Sequence, residues 1–114
     1  MLSITKLFRP TKPHVTLQQR GVSLFKTGDY EPALQQFDQA IRLQPNDPDC
    51  WHSRALALCY LNRHREAIPS FNRALELHSK SFVVWYNRAL ALSQLGRHEE
   101  AIASYDKTLR LDST

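Results

Sequence analysis

Apolar positions recur along this chain at spacings of three and four. Near the C-terminus, Trp85, Ala89, Leu92 and Leu95 are separated by four, three and three residues. That is the signature of a helix with one buried face. Gly96 follows, well placed for the left-handed residue that ends a helix. A second apolar series, Ala101, Ile102, Tyr105, Leu109 and Leu111, predicts a second helix. No segment shows a convincing two-residue alternation, so no strands are expected.

The same pattern returns at a fixed interval of 34 residues. Trp51 matches Trp85, and Arg54-Ala55-Leu56-Ala57-Leu58 matches Arg88-Ala89-Leu90-Ala91-Leu92. Leu61, Arg63, His64, Glu66-Ala67-Ile68, Ser70, Leu75 and Leu77 have counterparts at Leu95, Arg97, His98, Glu100-Ala101-Ile102, Ser104, Leu109 and Leu111. A more divergent copy precedes them. In it, Leu17 stands at the tryptophan position, Gly28-Asp29-Tyr30 mark the turn, and Pro45 closes the unit. Pro32 suits the first turn of its second helix, where a missing N–H costs little. The copies run about 14–47, 48–81 and 82–114, each a pair of helices, preceded by a tail at 1–13.

Residue size fits close stacking of such hairpins. Gly21, Ala55 and Ala89 share one position, Ala33, Ala67 and Ala101 another, and Phe37, Phe71 and Tyr105 a third. Small residues let helix axes approach while rings fill the space beside them. A lone hairpin cannot bury its apolar faces, so neighbours must cover one another.

With Gly21, Gly28, Tyr30, Ala33, Phe37, Ala40 and Pro45 in copy one, and Trp51 and Trp85 in the others, the chain resembles the tetratricopeptide repeat (TPR) family. The resemblance spans about 14–114 and is nearest to bacterial members in wording. It implies an all-α, right-handed superhelical array of antiparallel helix hairpins. There are departures: Arg20, Arg54 and Arg88 replace a leucine, Ser79 a closing proline, and Thr108 an alanine. Pro69 falls several residues into a helix, where a local kink is expected.

The resemblance also implies a function and a site. Family members are non-catalytic scaffolds that grip a peptide or partner segment in a concave groove lined by the first helix of each pair. Those positions map to Val15, Gln18, Gln19, Val22 and Phe25, then to Asp49, His52, Ser53, Leu56 and Cys59. In the third copy they map to Val83, Tyr86, Asn87, Leu90 and Ser93. Val22, Leu56 and Leu90 would form an apolar strip, while Gln19, Ser53 and Asn87 would offer hydrogen bonds to a peptide backbone. Chaperone-binding members clamp a C-terminal carboxylate with lysines, asparagines and an arginine. The matching positions here are Gln18, Val22, Ser53, Val83 and Asn87, and none carries a positive charge. A carboxylate would gain no charge-assisted hydrogen bond from them. Such arrays often end in an extra capping helix. This chain stops at Thr114 without one, so Ile102, Leu109 and Leu111 are expected to be exposed, a surface on which a second copy could pair.

Composition narrows the alternatives. There are 15 basic and 11 acidic residues, and Lys6, Arg9 and Lys12 account for three of the basic ones. The remainder is nearly neutral, so nucleic-acid binding is not favoured. The arginine ladder Arg20, Arg54 and Arg88 could be an anion strip. A repeated scaffold role, with heads paired to Asp38 or Asp106, explains all three at once. Cys50 and Cys59 stand nine apart on one helix, roughly 13 Å, beyond disulfide reach. With no apolar run long enough to span a membrane and no leader pattern, a cytoplasmic location is expected. His52 and Cys59 are too widely spaced to share a metal without further ligands. His64 and His98 share the turn position of Tyr30. No nucleophile–base or phosphate-binding motif appears, so no enzyme activity and no cofactor are expected.

Overall fold

The computed structural model describes residues 12–112. These form six helices: α1 (Pro13–Lys26), α2 (Tyr30–Leu43), α3 (Pro48–Tyr60), α4 (His64–Leu77), α5 (Phe82–Gln94) and α6 (His98–Asp112). No strand occurs among the described residues. Consecutive helices pack in pairs, α1 with α2, α3 with α4 and α5 with α6. Each pair then packs on the next through α2 against α3 and α4 against α5. The tail expected at 1–13 lies outside the described residues, except that Lys12 caps α1 and Pro13 opens it.

The turn inside each hairpin has one geometry with two chemistries. Gly28 and Gly96 take φ of 83° and 73°, and Asn62, at the same register, takes 61°. Asparagine is among the few residues with a side chain that tolerate this region. The Asp29, Arg63 and Arg97 N–H groups reach back to the Leu24, Leu58 and Leu92 carbonyls at 2.9, 2.8 and 2.9 Å. The left-handed residue bonds one turn in, to Phe25, Cys59 or Ser93. This is the Schellman closure, which satisfies carbonyls the helix leaves open. Between hairpins, Asp47 and Ser81 cap α3 and α5 by accepting from the Asp49 and Val84 N–H groups.

The tryptophans hold the joints between copies. Trp51 Nε1–H donates to the Pro45 carbonyl at 2.7 Å, and Trp85 Nε1–H donates to the Ser79 carbonyl at 2.8 Å. The acceptor is main chain, so serine serves at 79 as well as proline at 45. Helix α4 runs unbroken past Pro69, which is exposed, so water can reach the carbonyl that loses its donor.

The core follows the repeat. Ala33, Phe37, Ala55, Leu58, Ala67, Phe71, Ala89 and Leu92 are almost wholly buried. Gly21 lies against Phe37 so closely that a Cβ there would sit 2.4 Å from Cε1 of the ring. The arginine ladder is spent inside the scaffold in two of three copies. Arg54 donates to Asp38 at 2.6 Å and to the buried Ser70 hydroxyl at 2.6 Å. Arg88 donates to Asn72 at 2.9 Å and to the buried Ser104 hydroxyl at 2.5 Å. Asp106, the acidic partner suggested in the third copy, receives no such bond: its place opposite Arg88 is held by Asn72.

Candidate functional site

The first helices of the three hairpins, α1, α3 and α5, face one side, and successive pairs of them touch directly, α1 with α3 and α3 with α5. Two hollows lie along that side. One, about 270 Å³, is lined by Val22, Phe25, Lys26, Phe37, Ser53 and Leu56. The other, about 400 Å³, is lined by Leu56, Cys59, Tyr60, His64, Asn87 and Leu90, with Ala91 and Gln94. Leu56 belongs to both, so the two adjoin. Each is built from one hairpin and the first helix of the next.

The structure thus brings together Val22, Phe25, Ser53 and Leu56 in one place, and Leu56, Cys59, Asn87 and Leu90 in the other. Gln19 is placed apart from them. It lines an open hollow at the α1 end with Thr16, Arg20, Ser23, Leu24 and Gln36. The reason lies in the register: Ser53 and Asn87 lean over the hairpin before them, and among the described residues no hairpin precedes Gln19. Val15 and Gln18 are half-buried on α1 and line neither of the two adjoining hollows. Tyr86 and Val83 are exposed on α5. The Tyr86 ring meets Tyr105 edge-on, with centroids 6.0 Å apart.

His52 and Asn87 join the second and third copies. The Asn87 amide nitrogen lies 2.9 Å from His52 Nε2. Burial lowers the His52 pKa, and nearby Asp49 opposes that only in part. The ring is therefore neutral at pH 7 and can accept the amide hydrogen at Nε2. Burial raises the thiols: Cys59 to about 11, and Cys50 to about 12 with smaller contributions from Asp47 and Asp49. Both are free thiols in protonated form, not poised nucleophiles.

Three features were not foreseen from sequence. Lys26 adds a cation at the edge of the first hollow. Phe25, Tyr30 and Tyr60 form a ring cluster with centroids 4.9 to 5.2 Å apart. His64 Nδ1 is buried and has no hydrogen-bond partner, and the ring lines the second hollow. The register at Lys26, Tyr60 and Gln94 marks one more position facing this side, and that was the available signal.

Comparison with known proteins now bears on this arrangement. A tetratricopeptide repeat model matches residues 52–114, more than half the chain, and a TPR repeat model matches 21–61. The chain belongs to the tetratricopeptide repeat family. An uncharacterized protein of Methanocaldococcus jannaschii is 44% identical over 48 residues, which is 42% of this chain and 56% of that relative. The match thus spans little more than half of that relative's length. Among solved structures, the first TPR domain of Spaghetti (RPAP3), bound to the HSP90 peptide SRMEEVD, superposes with a TM-score of 0.86. It is 26% identical, over 89% of this chain and 80% of that one. The Sgt2 TPR domain from Aspergillus fumigatus gives 0.85 at 22% identity, over 92% of this chain and 70% of that one. No helix among the described residues is long and apolar enough to cross a membrane.

Proposed function

We propose that this TPR array, residues 14–114, is a non-catalytic scaffold that binds a segment of a partner protein along the α1, α3 and α5 side. The observation that carries this reading is the pair of adjoining hollows divided by Leu56. Small-molecule sites run about 300–1,000 Å³ and enclose their ligand. Hollows of about 270 and 400 Å³ lie below or at the low end of that range and open to solvent, which suits side chains of a longer ligand better. Two apolar anchors of an extended or helical segment would bury against Val22, Phe25 and Leu56, and against Leu56, Cys59 and Leu90. Ser53 and the His52–Asn87 pair would orient its backbone. Tyr86, exposed beside Leu90, would extend the contact. The free cysteines fit a reducing compartment, and the cytoplasm is the proposed location.

The test is recovery of partners from the source cell. Leu90→Glu, on an exposed face, should abolish recovery with unchanged circular dichroism, and Leu56→Glu/Leu90→Glu should do so as well. Undiminished recovery by both variants overturns the groove reading.

The Spaghetti domain bears an acidic HSP90 peptide, which raises the question of the same ligand here. Gln18, Val22, Ser53, Val83 and Asn87 hold no cation, and among the described residues Lys26 is the one lysine or arginine lining the two adjoining hollows. One exposed lysine is a weak substitute for a clamp, since exposed ion pairs contribute only about 0–1 kcal/mol. SRMEEVD should show no micromolar binding by calorimetry. Nucleic acid is disfavoured for a related reason: Arg54 and Arg88 are half-buried and each holds its Nε and Nη1 donors against the scaffold.

A further inference from the structure

The repeat makes its own interface legible. Between hairpins, an arginine on a first helix reaches the second helix of the hairpin before it. Arg54 meets Asp38 and Arg88 meets Asn72. The next acceptor in that series is Asp106 on α6, which is exposed. The donor one step earlier is Arg20 on α1, also exposed and paired with no acid among the described residues.

Apolar positions tell the same story. Leu34 and Ile68 are each 5% exposed, and their counterpart Ile102 is 59% exposed. Leu75 is 6% exposed and its counterpart Leu109 is 66% exposed. Among the described residues, a hairpin follows each of the first two copies and none follows the third. Leu111, also expected on this surface, is half-buried and does not belong to it. At the other end, α1 presents the hollow of about 520 Å³ that Thr16, Arg20, Leu24 and Gln36 line. In the later copies that side is covered: Cys50 and Leu58 of α3 have no exposed surface, and on α5 Leu92 has none and Val84 only 5%.

We propose that two copies of this chain stack head to tail, α6 of one against α1 of the next, repeating the interface that joins hairpins within the chain. Arg20 of one copy donates to Asp106 of the other, as Arg54 does to Asp38. Ile102 and Leu109 leave water against the α1 face. The two surfaces are different, so the contact is heterologous: each added copy offers a further free end unless the rotation closes a ring. Association therefore continues with rising concentration instead of stopping at a dimer.

The experiment is sedimentation equilibrium of the full chain over a concentration series, with two charge-reversed variants. The average mass of the wild type should rise steadily above that of one 13.2 kDa chain. Arg20→Asp and Asp106→Arg should each weaken self-association at least about tenfold, because like charges then face each other. An equimolar mixture of the two variants should associate again, since every contact between unlike chains pairs an arginine with an aspartate. Both sites are exposed, and unchanged thermal melts would confirm folding. A wild type that stays monomeric throughout overturns the proposal. So does self-association that neither reversal weakens, or a mixture that does not recover.

Discussion

Arg54 offers the sharpest test of how the copies are held together. Its guanidinium ties three helices: α3, which carries it, α2 through Asp38, and α4 through Ser70. Arg54→Met keeps most of the apolar stem and removes both bonds. The Asp38 pair is partly wet, with side-chain exposures of 28% and 34%, so its share is about 0.5–1 kcal/mol. Ser70 has no exposed surface, and stranding its hydroxyl costs about 1–2 kcal/mol, at the lower end where the hydroxyl turns to its own helix backbone. Together the loss is roughly 2 kcal/mol. Arg20 is the internal control, because it occupies the same register without these partners. Arg20→Met in dilute solution should stay within about 0.5 kcal/mol of wild type. Urea unfolding followed by circular dichroism measures both. Ser70→Ala added to Arg54→Met should recover about 1 kcal/mol of the expected sum, because no buried hydroxyl is then left unpaired. Equal losses for Arg54→Met and Arg20→Met would refute the reasoning.

Other outcomes follow from other particulars. Gly21→Val places atoms inside the Phe37 ring's space, and Phe37 is 1% exposed with nowhere to go. It should destabilise by about 2–3 kcal/mol, read as a lowered melting temperature. Asn62→Gly should be neutral or mildly stabilising, while Asn62→Ala should cost about 1 kcal/mol, because φ is 61° there. The lowered pKa of His52 means the unfolded chain binds a proton more readily than the folded one. Stability should thus be full above the ordinary histidine range, near about 6.5, and decline as pH falls toward the folded-state value. Urea midpoints at pH 7.5 and 5.5 should show that decline, and His52→Gln should reduce it. The raised thiol pKa values of Cys50 and Cys59 predict slow alkylation by iodoacetamide at pH 7.5 in the folded state, followed by mass spectrometry.

The hairpins were legible in the sequence because helical spacing and the 34-residue interval reinforce each other. Trp51 and Trp85, Arg54 and Arg88, Phe37 and Phe71, and Ala33 and Ala67 each share one environment. The candidate hollows were legible only by analogy of register. Val22, Phe25, Ser53, Leu56, Cys59, Asn87 and Leu90 line the two hollows. Gln19 does not, because a position that overlies a preceding hairpin means something different in the first copy. The His52–Asn87 bond crosses between copies 35 residues apart and pairs two different register positions, so periodicity could not suggest it. The Phe25–Tyr30–Tyr60 cluster escaped notice for the same reason. Asn62 breaks the glycine pattern of 28 and 96 in residue type alone, because the backbone there requires only a positive φ.

The two indole bonds set a condition on how such an array can change over time. Each clamps a ring onto a main-chain oxygen six residues earlier, at Pro45 and at Ser79. Any residue type supplies that oxygen, so the side chains at 45 and 79 can change without removing either bond. On the proposed reading, Leu90 and Tyr86 can then vary with the ligand while the two indole bonds keep the same acceptors, which would separate what the molecule recognises from how it is bent.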